Sequence, residues 1–112
     1  MTVSWVVTPE KVQAAIQRII EISRPKRLIL FGSFVSGKTG EHSDLDVLVV
    51  SADESIDPRK ESVRIRRELR GVLMPMDILV VPEGRLRELA DAPGLIYREI
   101  LRTGRVVYES AA

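Results

Sequence analysis

The sequence contains no cysteine, only one histidine (His42) and no apolar run of the ~20 residues that cross a membrane. Without cysteine, neither a disulfide framework nor a thiolate metal site is available. A single histidine in a turn-like segment is not expected to bind metal, because no second His or Cys accompanies it. The N-terminus also lacks a basic, apolar leader. These absences favour a cytoplasmic protein with no membrane partner.

The sequence also has no large excess of positive or negative charge, since the formal net charge is +1. A chain so close to neutral has no general attraction for nucleic acid, so direct nucleic-acid binding is not expected. The sequence has 112 residues, of which 45% are hydrophobic and 29% are charged. That composition is typical of a globular protein. No linker, repeat or low-complexity stretch divides residues 1–112, which are therefore expected to form one domain.

The predicted elements alternate between helices and short apolar strands. Thr8 before Pro9 predicts a helix start, and Asp57 before Pro58 predicts another. Gly71 is expected to cap the end of that second, charged helix. In chain order the sequence predicts a helix after Thr8, strand KRLILF, a helical turn in SFVSG, strand DLDVLVV, the charged helix, strand MDILVV, helices in GRLRELAD and GLIYREILR, and edge strand RVVYE. This alternation indicates an α/β fold.

Residues 32–39, GSFVSGKT, match the P-loop pattern, in which backbone N–H groups and a Lys hold phosphates. A P-loop needs a helix beginning at the Lys-Thr pair. Only residues 40–43, which are typical of a turn, separate Thr39 from the next predicted strand. The P-loop interpretation is therefore rejected.

Three aspartates lie at the starts of two predicted strands. Asp44 and Asp46 point to one face of their strand, about 6.6 to 6.8 Å apart, because side chains alternate. Asp77 opens the next strand, and parallel pairing of the two strands would bring all three carboxylates together. If the first strand runs antiparallel to the second, Gly32 and Ser33 reach the same end, where a helical turn would offer N–H groups and a hydroxyl to phosphate. Phosphate donors would then face carboxylates able to share a metal ion.

The order of these residues resembles the polymerase-beta-type nucleotidyltransferases. Gly32-Ser33, then Asp44-x-Asp46 eleven positions after the serine, then Asp77 heading a later strand, carry the resemblance. The small size and the ending GLIYREILRTGRVVYE make the chain most similar to the minimal nucleotidyltransferases, the MNT proteins. The resemblance implies a small mixed β-sheet flanked by helices. It also implies that Ser33 contacts a nucleoside triphosphate and that Asp44, Asp46 and Asp77 serve two Mg²⁺ ions in catalysis.

Many proteins of that group are antitoxins that transfer AMP from ATP to a tyrosine of a HEPN ribonuclease toxin. The resemblance therefore implies an ATP-dependent protein adenylyltransferase with such a toxin as partner. The sequence departs from the family where arginines often follow the Gly-Ser pair, because Phe34 and Ser36 stand there. Lys38 could supply one cation to the triphosphate, although without the bidentate geometry of Arg.

After the nucleotide core, the chain has almost no residues left to bind an acceptor, which favours a partner protein as acceptor. Two alternatives remain open. The protein could neutralise its partner by binding alone, or it could be a catalytic subunit whose small-molecule site is completed by a second, helical chain. The basic helix RKESVRIRRELR is expected to be a solvated face with Ile65, Leu69 and Val72 packed inward. Binding of RNA or of an acidic partner is the less favoured interpretation of its arginines.

Overall fold

The computed structural model describes residues 6–36, 44–93 and 95–111. The elements follow the predicted order. They are α1 (Pro9–Ser23), β1 (Arg27–Phe31), α2 (Ser33–Ser36), β2 (Leu45–Ser51), α3 (Pro58–Glu68), β3 (Met76–Pro82), α4 (Glu83–Ala90), α5 (Ile96–Thr103) and β4 (Arg105–Glu109).

The four strands form one mixed sheet in the order β3-β2-β1-β4. Strand β1 runs antiparallel to both β2 and β4, whereas β2 and β3 are parallel. The parallel pair is joined through α3, because parallel neighbours need a crossover connection. The predicted α/β class, with a small mixed sheet flanked by helices, is confirmed.

Alternation along the central strands gives the sheet two buried faces, which explains why β1 and β2 are apolar almost throughout. On one face, Leu30, Val47 and Val49 pack with residues of α1 and α3, including Ile16 and Ile65. The opposite face contains a second cluster under α4 and α5. Its buried members are Ile29, Phe31, Leu48, Val50, Val81, Leu86 and Ile100. The helices therefore form one layer on each side of the sheet.

Most predicted helix ends are confirmed. The Thr8 hydroxyl accepts a hydrogen bond from the Lys11 N–H at 3.2 Å, and Arg24 ends α1 in a left-handed conformation. The prediction for Gly71 is wrong. Helix α3 ends at Leu69, whose N–H donates to both Ile65 and Arg66 carbonyls, and the Val72 N–H then donates to the Leu69 carbonyl. These tight turns end the helix without a left-handed glycine.

Two residues singled out in the sequence, Lys38 and His42, lie outside the described residues, as does the turn at residues 40–43. The segment in which a P-loop helix would begin is therefore not described, and the next described strand, β2, begins at Leu45. Within the described ranges, no helix is long and apolar enough to span a bilayer.

Candidate nucleotidyl-transfer site

The carboxylates of Asp46 and Asp77 come from neighbouring positions of the parallel strands β2 and β3. Asp46 is the partner of Asp77 on one side and of Phe31 on the other. Asp46 has the strand parity of Leu48 and faces the side covered by α4 and α5, where it lines a cavity. Asp77 has the same parity, but its carboxylate contacts Arg66 of α3. Asp44 lies exposed just before β2. The register pairs Asp46 with Asp77 at one end of the sheet, and the meeting of all three carboxylates stays a prediction.

Gly32 brings the end of β1 against the Asp46 carboxylate. Its φ is +80°, the left-handed region that favours glycine, and a Cβ at this position would overlap Asp46 Oδ2. The Gly32 carbonyl accepts the Val35 N–H at 3.2 Å, which starts the short helix α2 beside the carboxylate. Glycine is thus required here for both backbone conformation and space.

The pKa of Asp46 is raised above its ordinary value of 3.8. Burial is the largest cause, because desolvation disfavours the charged carboxylate. The negative charges of Asp77 and Asp44 act in the same direction. A cation beside Asp46 would oppose both the desolvation of its carboxylate and the repulsion from the other two aspartates.

An arginine side chain contacts Asp77, one of the three aspartates. Arg66, near the end of α3, donates from Nη2 to Asp77 Oδ1 at 3.3 Å. Both side chains are half-exposed or more, at 50% for Arg66 and 60% for Asp77. Sequence reasoning placed Arg66 on a solvated face and missed this contact. Arg66 lies in the last turn of α3, before the chain enters β3, but a solvated helix face would have the same sequence pattern.

A cavity of about 460 Å³ opens beside Asp46, within the range of small-molecule sites. Phe31, Gly32 and Asp46 form its strand side, and one face of α5 forms the other side. The contributing α5 residues are Ile96, Glu99, Ile100 and Thr103. These four were not predicted as site residues. Their i, i+3, i+4, i+7 spacing is the only signal for them, and a helix face that packs on the core has the same spacing.

Gly104 explains why α5 lies so near the strand end. A Cβ at Gly104 would overlap the Ile100 carbonyl and crowd Ile29 of β1. The Gly104 N–H also donates to the Ile100 carbonyl at 2.7 Å. The tight turn from α5 into β4 therefore holds the helix against β1 and forms the wall of the cavity.

Comparison with known families gives a match to the family described as polymerase beta, nucleotidyltransferase, over residues 13–112. The chain belongs to this nucleotidyltransferase family. A search of curated proteins finds no significant match. The family assignment agrees with the resemblance carried by Gly32, Ser33 and the three aspartates.

Two solved structures share the nucleotidyltransferase fold. The first is the crystal structure of a toxin–antitoxin with AMP-PNP, with a TM-score of 0.63 and 22% identity, covering 88% of this chain and 74% of that one. The second is a protein from Sulfolobus solfataricus, named provisionally as a nucleotidyltransferase, with a TM-score of 0.53 and 16% identity. The match covers 92% of this chain and 90% of the Sulfolobus chain. At such identities, the likeness concerns the fold.

The nucleotidyltransferase domain keeps Ser33 at the first position of α2, where it is half-buried. Phe34 packs against the core cluster on the α1 and α3 side, so its side chain contributes packing and no charge.

The donor set fits Mg²⁺ in its chemistry, because Mg²⁺ prefers carboxylate oxygens. In the described part of the chain, however, no three acidic or imidazole side chains are close enough to hold one ion. Asp77 is turned toward Arg66, and Asp44 is exposed. The aspartates occupy one end of the sheet, but a shared metal site stays a prediction.

Proposed function

We propose that this nucleotidyltransferase transfers AMP from ATP to a hydroxyl, most simply a tyrosine hydroxyl, of a partner protein. In this proposal the partner is a HEPN-type ribonuclease toxin, and the modification silences it. One observation carries the proposal, namely the pairing of Asp46 with Asp77 on adjacent strands, with Asp46 beside Gly32 at a cavity of about 460 Å³.

The three aspartates supply the carboxylates that the reaction would use. Asp44, Asp46 and Asp77 would hold Mg²⁺, which when bound lowers the pKa of an attacking hydroxyl and neutralises phosphate charge. Burial and the neighbouring negative charges raise the pKa of Asp46, and a bound cation would oppose that shift. The nucleoside would lie in the cavity between Asp46 and α5, with its triphosphate toward Gly32, Ser33 and Lys38.

The reaction is an in-line displacement at the α-phosphorus of ATP. The acceptor oxygen forms a bond to the α-phosphorus while the bond from that phosphorus to the α,β-bridging oxygen breaks. Pyrophosphate leaves with the electron pair, and the hydroxyl proton is lost to a carboxylate or to solvent. Asp77 would either help to hold the metal nearest the acceptor or accept this proton.

The partner assignment is supported by the fold, which resembles that of a toxin–antitoxin crystallised with AMP-PNP. That likeness is the reason for proposing a second protein as the acceptor.

A second candidate function is neutralisation of the partner by binding alone. The pairing of Asp77 with Arg66 and the replacement of a family arginine by Phe34 favour it. Both features would weaken a metal and triphosphate site. The coupled carboxylates around Asp46 favour catalysis instead.

The test is the intact mass of a co-expressed partner after incubation with the protein, ATP and Mg²⁺. An Asp44→Asn/Asp46→Asn variant is the matched control, since it removes charge but keeps shape. A Mg²⁺-dependent gain of one or more AMP masses with wild type alone is expected. An unmodified partner that is nevertheless inhibited equally by both proteins would reject the transferase and support neutralisation by binding.

A further inference from the structure

The outer surface of α3 carries an unbalanced group of cations. Four exposed cations lie around Val63, which is itself 50% exposed. They are Arg59, Lys60, Arg67 and Arg70. We call these five residues the basic face. None of its four cations takes part in a salt bridge with another described residue, and a shallow depression of about 370 Å³ lies along it.

The acidic residues of α3 do not compensate these cations because they point toward α1. Glu61 is buried and accepts hydrogen bonds from Ser23 Oγ at 3.0 Å and Arg64 Nε at 2.6 Å. Glu68 pairs with Arg18 of α1 at 3.3 Å. The helix therefore directs Glu61 and Glu68 toward α1, away from the cations of the basic face.

The charge of the whole molecule makes this surface distinct. Residues 57–70 contain six basic and three acidic residues, a net charge of +3, whereas the chain as a whole is +1. The rest of the protein is therefore net −2. Among the described residues, an acidic partner would find its complement on this helix.

The basic face also leads to the candidate site. Arg66 lies seven residues, about two turns, after Arg59 on α3, so these two point in similar directions, and Arg70 follows in the turn after the helix. Arg66 is the residue that contacts Asp77. A segment lying along α3 would thus reach the strand ends where Asp46 and Asp77 meet.

We propose that the basic face of α3 docks an acidic segment of the acceptor protein and directs its hydroxyl to Asp77. This inference rests on the proposed function and names the substrate class, a hydroxyl flanked by carboxylates. An acidic residue of the acceptor that pairs with Arg66 would also release Asp77 into the site. A protein is favoured over single-stranded nucleic acid because α3 has no aromatic side chain for base stacking and has Val63 at its centre.

The test uses a random glutamate–tyrosine copolymer as probe, with a lysine–tyrosine copolymer and a single-stranded RNA homopolymer for comparison. Binding is measured by fluorescence anisotropy at low salt, and AMP incorporation is measured in parallel with ATP and Mg²⁺. The Arg59→Gln/Arg67→Gln variant should bind the acidic copolymer about three- to thirtyfold more weakly, because two exposed charge contacts are lost. Glutamine keeps helix propensity close to that of arginine.

The matched control is Arg85→Gln/Arg87→Gln on α4, which removes the same charge from the opposite side of the sheet and should leave binding unchanged. Equal loss in both variants, equal binding of the acidic and basic copolymers, or tighter binding of the RNA would overturn the docking proposal. Binding is read without catalysis, so acidic binding that depends on Arg59 and Arg67 but occurs without AMP incorporation would reject the proposed transferase and keep the docking surface. AMP incorporation that is unaffected by the Arg59→Gln/Arg67→Gln change would reject the docking surface and keep the proposed transferase.

Discussion

At the residue scale, Gly32 is the position where backbone conformation and the candidate site depend most directly on one another. Alanine there would have to adopt the left-handed φ and displace the Asp46 carboxylate. We expect Gly32→Ala to lower the free energy of unfolding by about 1–3 kcal/mol and to reduce nucleotide binding. Urea denaturation measures the first effect and calorimetric titration the second.

Gly71→Ala is the matched control for that change. A Cβ at Gly71 meets no atom within 4 Å, and its φ is not in the left-handed region. The free energy of unfolding should therefore stay the same or rise by about 0.4–1 kcal/mol, because alanine restricts the unfolded chain. Similar losses for both variants would show that Gly32 has no special role.

Asp46 gives a second prediction at this scale, through the pH dependence of stability. Its raised pKa means that the charged carboxylate is less favourable in the folded than in the unfolded protein. This destabilisation is fully present above the folded pKa and disappears as pH falls toward 3.8. Without metal, Asp46→Asn should be more stable than wild type at neutral pH, with an advantage that shrinks in acid.

Asp53→Asn supplies the comparison of opposite sign. Hydrogen bonds from Ser55 lower the pKa of Asp53, so its charge stabilises the folded protein at neutral pH. Chemical denaturation from neutral to acidic pH should show a loss for this variant where Asp46→Asn shows a gain. A neutral-pH loss for Asp46→Asn would contradict the described electrostatics.

At the scale of the elements, Glu61 joins α1 to α3. Its buried carboxylate binds Ser23 of one helix and Arg64 of the other, and its pKa is lowered from 4.5, chiefly by the hydrogen bond from Arg64. We expect Glu61→Gln to lower the free energy of unfolding by about 1.5–3 kcal/mol at neutral pH, since charge-assisted hydrogen bonds are lost.

The pH dependence of that loss is a further check. A lowered pKa means that the stabilisation is complete above 4.5 and is lost as pH falls through the folded pKa, so the penalty of Glu61→Gln should shrink below 4.5. Glu68→Gln, which breaks the exposed pair with Arg18, should destabilise by less than about 1 kcal/mol. Equal penalties for the two variants in denaturant titrations would contradict this assignment.

Helix α5 gives the second prediction for an element. Ile96 lines the cavity beside Asp46 and is 50% exposed, so Ile96→Trp should narrow the cavity with little loss of stability. Affinity for an ATP analogue should fall about tenfold or more, measured by calorimetric titration. Leu101→Trp changes the same helix outside the cavity lining and should bind the analogue normally. If both variants bind like wild type, the nucleotide does not use this cavity.

How far the sequence predicts these elements depends on how local their causes are. Capping and proline set the helix ends at Thr8, Arg24 and Asp57. Alternation in DLDVLVV predicts a shared side for Asp44 and Asp46, but β2 begins only at Leu45, so that part stays a prediction. The end of α3 could not be predicted in this way. Gly71 is a good cap locally, but burial of Leu69 and hydrogen bonds at the preceding residues end the helix first.

The unpredicted part of the candidate site depends on tertiary packing. Arg66 reaches Asp77 only because α3 returns across the sheet to end beside β3, and Glu99 lines a cavity only because α5 lies against β1. Neither contact has a sequence signal that separates it from a solvated helix face. The pairing of Asp46 with Asp77 was predictable because it depends only on the parallel arrangement of β2 and β3 and not on the helices.

For the molecule as a whole, the sheet separates two tasks. The α1 and α3 side carries the larger core cluster and the basic face, and the α4 and α5 side carries the cavity. Asp46 and Asp77 lie at one end of the sheet, between these two sides. A nucleotide and an acidic acceptor could therefore approach the same aspartates from different sides without competing for space.

The most direct test of this account is the binding of AMP-PNP with and without Mg²⁺ to wild type and to the Asp44→Asn/Asp46→Asn variant, measured by calorimetric titration. We predict that Mg²⁺ strengthens binding to wild type at least tenfold and has no such effect on the variant, whose folding is checked by denaturation. If wild type and variant bind the nucleotide equally, with or without Mg²⁺, the aspartates at the strand ends are not the nucleotide and metal site.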